Sequence, residues 1–144
     1  KNIDTKFASL ICYESVFSEF VSEFAKDGAE YFVIVTNDGW WGDNAGPEQH
    51  NQYAVLRAVE NRKWVVRCAQ TGVSCFIDPL GNMYDEIPYW KEGVVSRNII
   101  ANTEKTFFVQ HGDIIGVTGF YAGILSLAGS IFFYAYRRKD RSKA

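Results

Sequence analysis

Apolar positions follow two short periods along the first two thirds of the chain, then form one unbroken run. Lys6–Ile11 and Tyr31–Thr36 are mostly apolar, β-branched or aromatic stretches, the pattern of strands buried on both faces. Between them Phe17, Phe20, Val21 and Phe24 recur at i, i+3, i+4 and i+7, one face of a helix. Ser15 or Ser18 can cap this helix, and Lys26-Asp27-Gly28 ends it. Strand, helix and strand within about thirty residues predict a βαβ unit with parallel strands. Glu48–Asn61 predicts a second helix. Tyr53, Ala54, Leu56, Ala58 and Val59 are its expected buried face. Arg57, Glu60, Asn61 and Arg62 are its expected polar side, with Arg57 and Glu60 as a surface ion pair. Trp64–Cys68 and Val73–Asp78 predict two further strands around Gln70-Thr71-Gly72. Pro79-Leu80-Gly81-Asn82 is a turn by composition, and Tyr84–Ile87 and Val94–Ile100 read as short closing strands. The pattern predicts an α/β fold, a mixed sheet with helices covering one face.

From Ile114 to Tyr136 run 23 residues without a charge. At about 1.5 Å per residue a helix of that length spans roughly 34 Å, enough for the ~30 Å hydrocarbon core of a bilayer. Its Gly116, Gly119, Gly123 and Gly129 are poor in soluble helices but common in membrane ones. Gly119-Phe-Tyr-Ala-Gly123 is a small-xxx-small pattern that favours packing on other helices. Beyond it, Arg137–Ala144 carries five cations against one anion, Asp140. A basic flank of this kind favours the cytoplasmic side, which puts residues before Asp113 on the other face of the membrane. In a bacterium that is the periplasmic face of the inner membrane. The expected organisation is therefore a catalytic portion over 1–112, a transmembrane helix over 113–136 and a basic cytoplasmic tail over 137–144.

Composition adds bounds. Of the 144 residues 47% are hydrophobic, 16% aromatic and 22% charged, which excludes a disordered chain. A net charge of −2 gives no global field to attract nucleic acid. Cys12, Cys68 and Cys75 fit no disulfide framework, and no spacing suggests zinc. Cys68 and Cys75 lie in strand-like runs and read as buried free thiols, with a Cys68–Cys75 bond as the alternative. The chain opens without an initiator Met, and its first strand follows within a few residues. It reads as the carboxyl-terminal portion of a longer protein, cut inside a domain.

The candidate chemistry centres on Leu10-Ile11-Cys12-Tyr13-Glu14-Ser15. A cysteine at the carboxyl end of a buried strand, ahead of a helix, lies where amide N–H groups can favour a thiolate and bind an oxyanion. Glu14 is a carboxylate where packing requires none. Such a thiol needs a base, and neither His50 nor His111 is an obvious partner. Asn37–Pro47 is a loop of turn formers containing Trp40 and Trp41. It is either anchored by one indole or forms an aromatic wall over a site at the strand ends.

Six segments, in order, resemble the carboxyl-terminal half of the nitrilase superfamily: Ile11–Glu14, Thr36–Gly42, Gly46–His50, Arg57–Arg62, Thr71–Ser74 and Asp78–Gly81. With His111-Gly112-Asp113 leading into an apolar helix, they look like its membrane branch, the apolipoprotein N-acyltransferases. The resemblance implies half of an αββα sandwich followed by one transmembrane helix. It implies a Glu-Lys-Cys triad in which Cys12 is the nucleophile and the Glu and Lys lie upstream of this sequence, so no histidine is needed and this chain alone is inactive. Tyr13 and Glu14 match positions beside the nucleophile. The Tyr13 N–H would help bind the oxyanion, Glu14 would orient the site, and Trp40 and Trp41 would contact acyl chains. The implied partners are a phospholipid acyl donor, an apolipoprotein acceptor and the lipid bilayer, for a monomer that needs no cofactor or metal. A nitrilase-type amidohydrolase on a membrane anchor is the alternative activity. A membrane-anchored binding module with an inert Cys12 is the alternative without catalysis.

Overall fold

The computed structural model describes residues 4–42 and 44–141. The chain divides into two compact units, residues 1–112 and 113–144. In the first, β1 (Phe7–Ile11), α1 (Ser18–Lys26), β2 (Tyr31–Thr36), α2 (Gly46–Asn61) and β3 (Trp64–Ala69) make two consecutive βαβ units. Then come β4 (Ser74–Ile77), β5 (Met83–Ile87) and a short α3 (Phe107–His111). The five strands form one sheet in sequence order. β1, β2 and β3 are parallel, β4 is antiparallel to β3, and β5 is antiparallel to β4.

Alternation along the strands fixes which face is covered. Ala8 and Leu10 of β1, Phe32 and Ile34 of β2, and Val65 of β3 are buried with Val21 and Ala25 of α1 and Ala54 and Ala58 of α2 in one core cluster. Both helices therefore lie on one face, as two right-handed crossovers require. The other face presents Phe7, Ile11 and Val35 to solvent, and Phe7 stacks on Tyr31 across the strands.

Several expectations are corrected. The helix after β1 is not capped by Ser15 or Ser18. A 3-10 turn, Cys12–Val16, comes first, and α1 starts at Ser18 with Phe17 as an uncapped N-cap. Ser15 turns back to the Cys12 carbonyl, and the Ser18 hydroxyl donates to Glu60. Phe17 and Phe20, expected inside, are exposed. In α2 the expectation holds in part: Ala54 and Ala58 are buried and Arg62 is exposed, but four positions are exchanged. Tyr53 and Leu56 are 38% and 48% exposed, whereas His50, Asn51, Arg57 and Asn61 are buried. Arg57 does pair with Glu60, at 3.0 Å, but the guanidinium is buried and also donates to the Val16 carbonyl at 2.8 Å. The reason is that the core beneath α2 offers polar partners, which only polar side chains can satisfy.

Val94–Ile100 forms no strand. Val94 is 97% exposed, and the segment is held instead by Arg97, which donates to Asp85 at 2.6 Å and lies over the Tyr84 ring. Cys68 is exposed rather than buried, only Cys75 is in the core, and all three cysteines are free. A buried lysine straps the following segment. The Lys63 ammonium donates to the carbonyls of Asn102 and Glu104 at 2.5 and 2.9 Å, and burial lowers its pKa. The Thr106 hydroxyl donates to the Glu60 carbonyl and accepts the Val109 N–H, so one side chain both anchors the strap and caps α3.

The second unit is α4 (Ile114–Arg141). Asp113 accepts the Gly116 N–H at 2.8 Å, an N-cap at its start. Its residues Ile114–Tyr134 are long and apolar enough to cross a membrane, by length and composition. The helix continues past Tyr136 into the stretch expected to be tail, and residues 142–144 of that tail lie outside the described residues.

Phe32 is the largest fully buried side chain of the core. Phe32→Ala is expected to lower the unfolding free energy by about 3–5 kcal/mol. Urea unfolding followed by circular dichroism measures this.

Candidate active site

The carboxyl ends of the parallel strands carry the candidate chemistry. β1 ends at Ile11, and Cys12 opens the 3-10 turn with φ of +52°. An L-residue in that left-handed region costs roughly 1–2 kcal/mol, so the turn must be held by its neighbours. Three contacts hold it. The Glu14 carboxylate accepts the Ile11 N–H at 2.7 Å. The buried Ser15 hydroxyl donates to the Cys12 carbonyl at 2.9 Å. His50 Nε2 lies 3.3 Å from that carbonyl oxygen and 3.3 Å from Ser15 Oγ.

Behind this turn is a buried charged cluster built from three elements. Asp38 follows β2, His50 is on α2 and Arg67 is on β3, and all three are at most 2% exposed. His50 Nδ1–H donates to Asp38 Oδ1 at 2.8 Å, Arg67 Nη2–H donates to Asp38 Oδ2 at 2.7 Å, and the Thr36 hydroxyl donates to Oδ1 at 3.0 Å. Arg67 also donates to the Val73 carbonyl. Burial by itself would raise the Asp38 carboxyl. Hydrogen bonds from His50 and Arg67, with their charges, outweigh it and lower the pKa from 3.8 to about 2. Gly72 makes room for this carboxylate, because a Cβ there would stand 2.1 Å from Asp38 Oδ2.

The aromatic residues line up beside the turn. Tyr13 packs on His50 at 5.8 Å between ring centroids, on Phe17 at 6.1 Å and on Trp41 at 6.3 Å. Trp41 packs on Trp40 at 4.4 Å with the rings tilted by 30°. The indoles belong to a short 3-10 turn, Gly39–Trp41. Trp41 is seated over the start of α2, where a Cβ on Gly46 would come within 2.4 Å of its ring. Its indole N–H is buried with no partner among the described residues. Trp40 points outward at 66% exposure.

The structure thus brings Cys12, Tyr13, Glu14 and Trp41 to one strand edge and leaves Trp40 on the rim. Of the two alternatives for the loop, anchoring by one indole describes Trp41, while Trp40 faces solvent. His111 belongs elsewhere, stacked on Phe107 in α3. Cys75 is no second nucleophile. Burial pushes its thiol up to about 11, and its Sγ–H donates to Asn51 Oδ1. The sequence pattern assigns no site role to Asp38 or Arg67, offers Ser15 only as a helix cap, and leaves His50 without a role. Asn37-Asp38-Gly39 carries only a turn signal, and Arg67 interrupts an otherwise apolar strand. That interruption is the one visible hint of a buried anion.

No group of three or more His, Cys, Asp or Glu side chains suited to a metal ion occurs among the described residues.

In fold, the first unit is similar to solved structures of the nitrilase superfamily. A solved amidase of that superfamily, from Nesterenkonia AN1, superposes with a TM-score of 0.50 at 23% identity, over 58% of this chain and 34% of that one. At that identity the likeness is one of fold. The chain belongs to the carbon-nitrogen hydrolase family, whose model matches residues 3–106. It is similar to the apolipoprotein N-acyltransferase of Chlorobaculum tepidum, 40% identical over 127 residues, and to that of Geobacter metallireducens, 32% identical over 131. These alignments cover 88% and 91% of this chain, but the chain spans only 24% of the length of either relative.

The lowered carboxyl of Asp38 makes stability depend on acid. Its folded value lies below the unfolded one, so its contribution, about 2 kcal/mol, is present above pH 4 and lost as the pH falls toward about 2. Asp38→Asn is expected to destabilise the fold at pH 7 and to flatten the loss of stability between pH 4 and pH 2. Thermal unfolding of both proteins across that range measures it.

Proposed function

We propose that this chain is the nucleophile-bearing part of an N-acyltransferase that completes the maturation of bacterial lipoproteins. The observation that carries the reading is the turn at Cys12. A thiol is held in a left-handed conformation at the carboxyl end of β1, beside an aromatic row that ends on the protein surface. Membership of a carbon-nitrogen hydrolase family and likeness to apolipoprotein N-acyltransferases support the reaction class. The glutamate base and the lysine that such a thiol needs come from sequence outside this chain.

The reaction runs in two acyl transfers. The Cys12 thiolate attacks the ester carbonyl of a membrane phospholipid, and the tetrahedral oxyanion is bound by the Tyr13 N–H and the lysine. The C–O bond breaks, the alkoxide takes the proton held by the base, and lysophospholipid leaves a thioester on Cys12. The amino group of the lipid-bearing amino-terminal cysteine of an apolipoprotein then attacks the thioester. The C–S bond breaks as the amide forms, and the amine proton passes to the base. Ping-pong kinetics follow from this division. Glu14 fixes the turn by holding the Ile11 N–H, while Trp40 and Trp41 receive acyl chain, a role suited to indoles at a lipid surface. The helix from Ile114 spans the inner membrane, with the catalytic part periplasmic and the basic end cytoplasmic. The enzyme acts as a monomer, without nucleic acid.

The test uses the whole membrane protein. Phospholipid with a labelled acyl chain should leave a hydroxylamine-sensitive label on the peptide containing Cys12. Cys12→Ala and Cys12→Ser should lose N-acylation by ~10³-fold or more. Full N-acylation by either variant refutes the proposal. Release of ammonia from simple amides without lipid transfer would point to the amidohydrolase instead.

A further inference from the structure

We propose that His50 is a positioning residue for the Cys12 thiol, coupling the buried Asp38–Arg67 ion pair to the main chain of the turn that carries it. The proposal rests on Cys12 being the nucleophile.

The backbone of Cys12 is the starting point. At φ of +52° it stays in place only because its surroundings determine it. Two side chains reach its carbonyl oxygen, Ser15 Oγ at 2.9 Å and His50 Nε2 at 3.3 Å, and both residues are buried. They also lie 3.3 Å from each other, so carbonyl, hydroxyl and imidazole form one closed polar group. The imidazole is itself held on its other side. Asp38 holds its Nδ1–H at 2.8 Å, and the Tyr13 ring packs against it. Asp38 in turn is held by Thr36 and Arg67. The position of the Cys12 carbonyl is thus referred to the ends of β2 and β3 and to α2. Rotation of that peptide would change the direction of both the thiol and the Tyr13 N–H, whose nitrogen belongs to the same peptide unit as the Cys12 carbonyl. A displacement of about 1 Å there is enough to cost a large factor in rate.

His50 is not placed as a base. The contacts of its Nε2 are with the carbonyl and Ser15, on the inner side of the turn. A histidine that merely satisfies a buried carboxylate would affect stability alone. A positioning histidine sets how fast the folded enzyme's thiol reacts.

The experiment measures the rate constant for alkylation of Cys12 by iodoacetamide in the whole membrane protein, located by peptide mass spectrometry. It is read beside kcat, KM for the lipid-bearing acceptor, and Tm. His50→Asn, whose shorter amide can meet Asp38 but not the carbonyl, and Ser15→Ala are each expected to lower the alkylation rate constant and kcat about tenfold in folded enzyme, with KM changed less than twofold. The double variant should lose less than the product of the two, because both act on one carbonyl. His50→Gln, whose longer side chain brings an amide to the Nε2 position beside the carbonyl, should recover part of the loss. Alkylation and kcat within twofold of wild type in either single variant, with only Tm lowered, overturn the proposal. If instead Cys12 of the wild type resists alkylation and Cys12→Ala still acylates, it is the nucleophile reading that has failed.

Discussion

The buried carboxylate of Asp38 is the interaction on which the strand edge depends. An isolated charge at that depth would be costly, and a carboxylate there persists only with several donors. Three side chains supply them: Thr36 from β2, His50 from α2 and Arg67 from β3. The arrangement leaves no room for variation around it. Gly72 must lack a Cβ, and Arg67 must reach past Asp38 to the Val73 carbonyl, which fixes the turn between β3 and β4.

That requirement explains why α2 turns its polar side inward. His50, Arg57 and Asn61 recur along the buried face, interleaved with Ala54 and Ala58, whose small side chains let the helix approach the sheet. Each of these side chains meets a partner: His50 meets Asp38, Arg57 meets Val16 and Glu60, and Asn61 Nδ2 meets the Arg57 carbonyl, while Asn61 Oδ1 has none among the described residues. Hydrophobic burial by Leu10, Phe32, Ile34, Val65 and Ile77 supplies the stability, while the polar contacts set the register of α2 against β1 and β2.

Those two kinds of contact were not equally visible in the sequence. β1, β2, β3 and both crossover helices were legible because each is a local run with its own period. The cysteine turn was legible because the run before it stops abruptly at Cys12. The orientation of α2 was not, because apolar Tyr53 and Leu56 outweigh Arg57 in any local count. Its buried side is decided by Asp38 and the Val16 carbonyl, which belong to other elements. The cluster behind Cys12 was hidden for the same reason, with Asp38 and Arg67 separated by 29 residues. Val94–Ile100 misled in the opposite direction. Its β-branched composition predicts a strand, but composition does not provide a neighbouring strand, and Arg97 binds Asp85 and Tyr84 instead.

The same logic bears on why a strained residue stands at Cys12 at all. A glycine would adopt φ of +52° without cost but would carry no thiol. A thiol at that position therefore requires the roughly 1–2 kcal/mol penalty of a left-handed L-residue. Glu14 and Ser15 hydrogen-bond the backbone of the turn from two directions, with His50 packed 3.3 Å from the Cys12 carbonyl oxygen, and two such hydrogen bonds are of the size needed to offset it. Strain confined to one residue and opposed by neighbours anchored in the sheet leaves the thiol with few alternative positions. A turn satisfied only by local bonds would relax whenever α1 moved. Anchoring it to a charge pair under α2 makes its geometry a property of the whole layer.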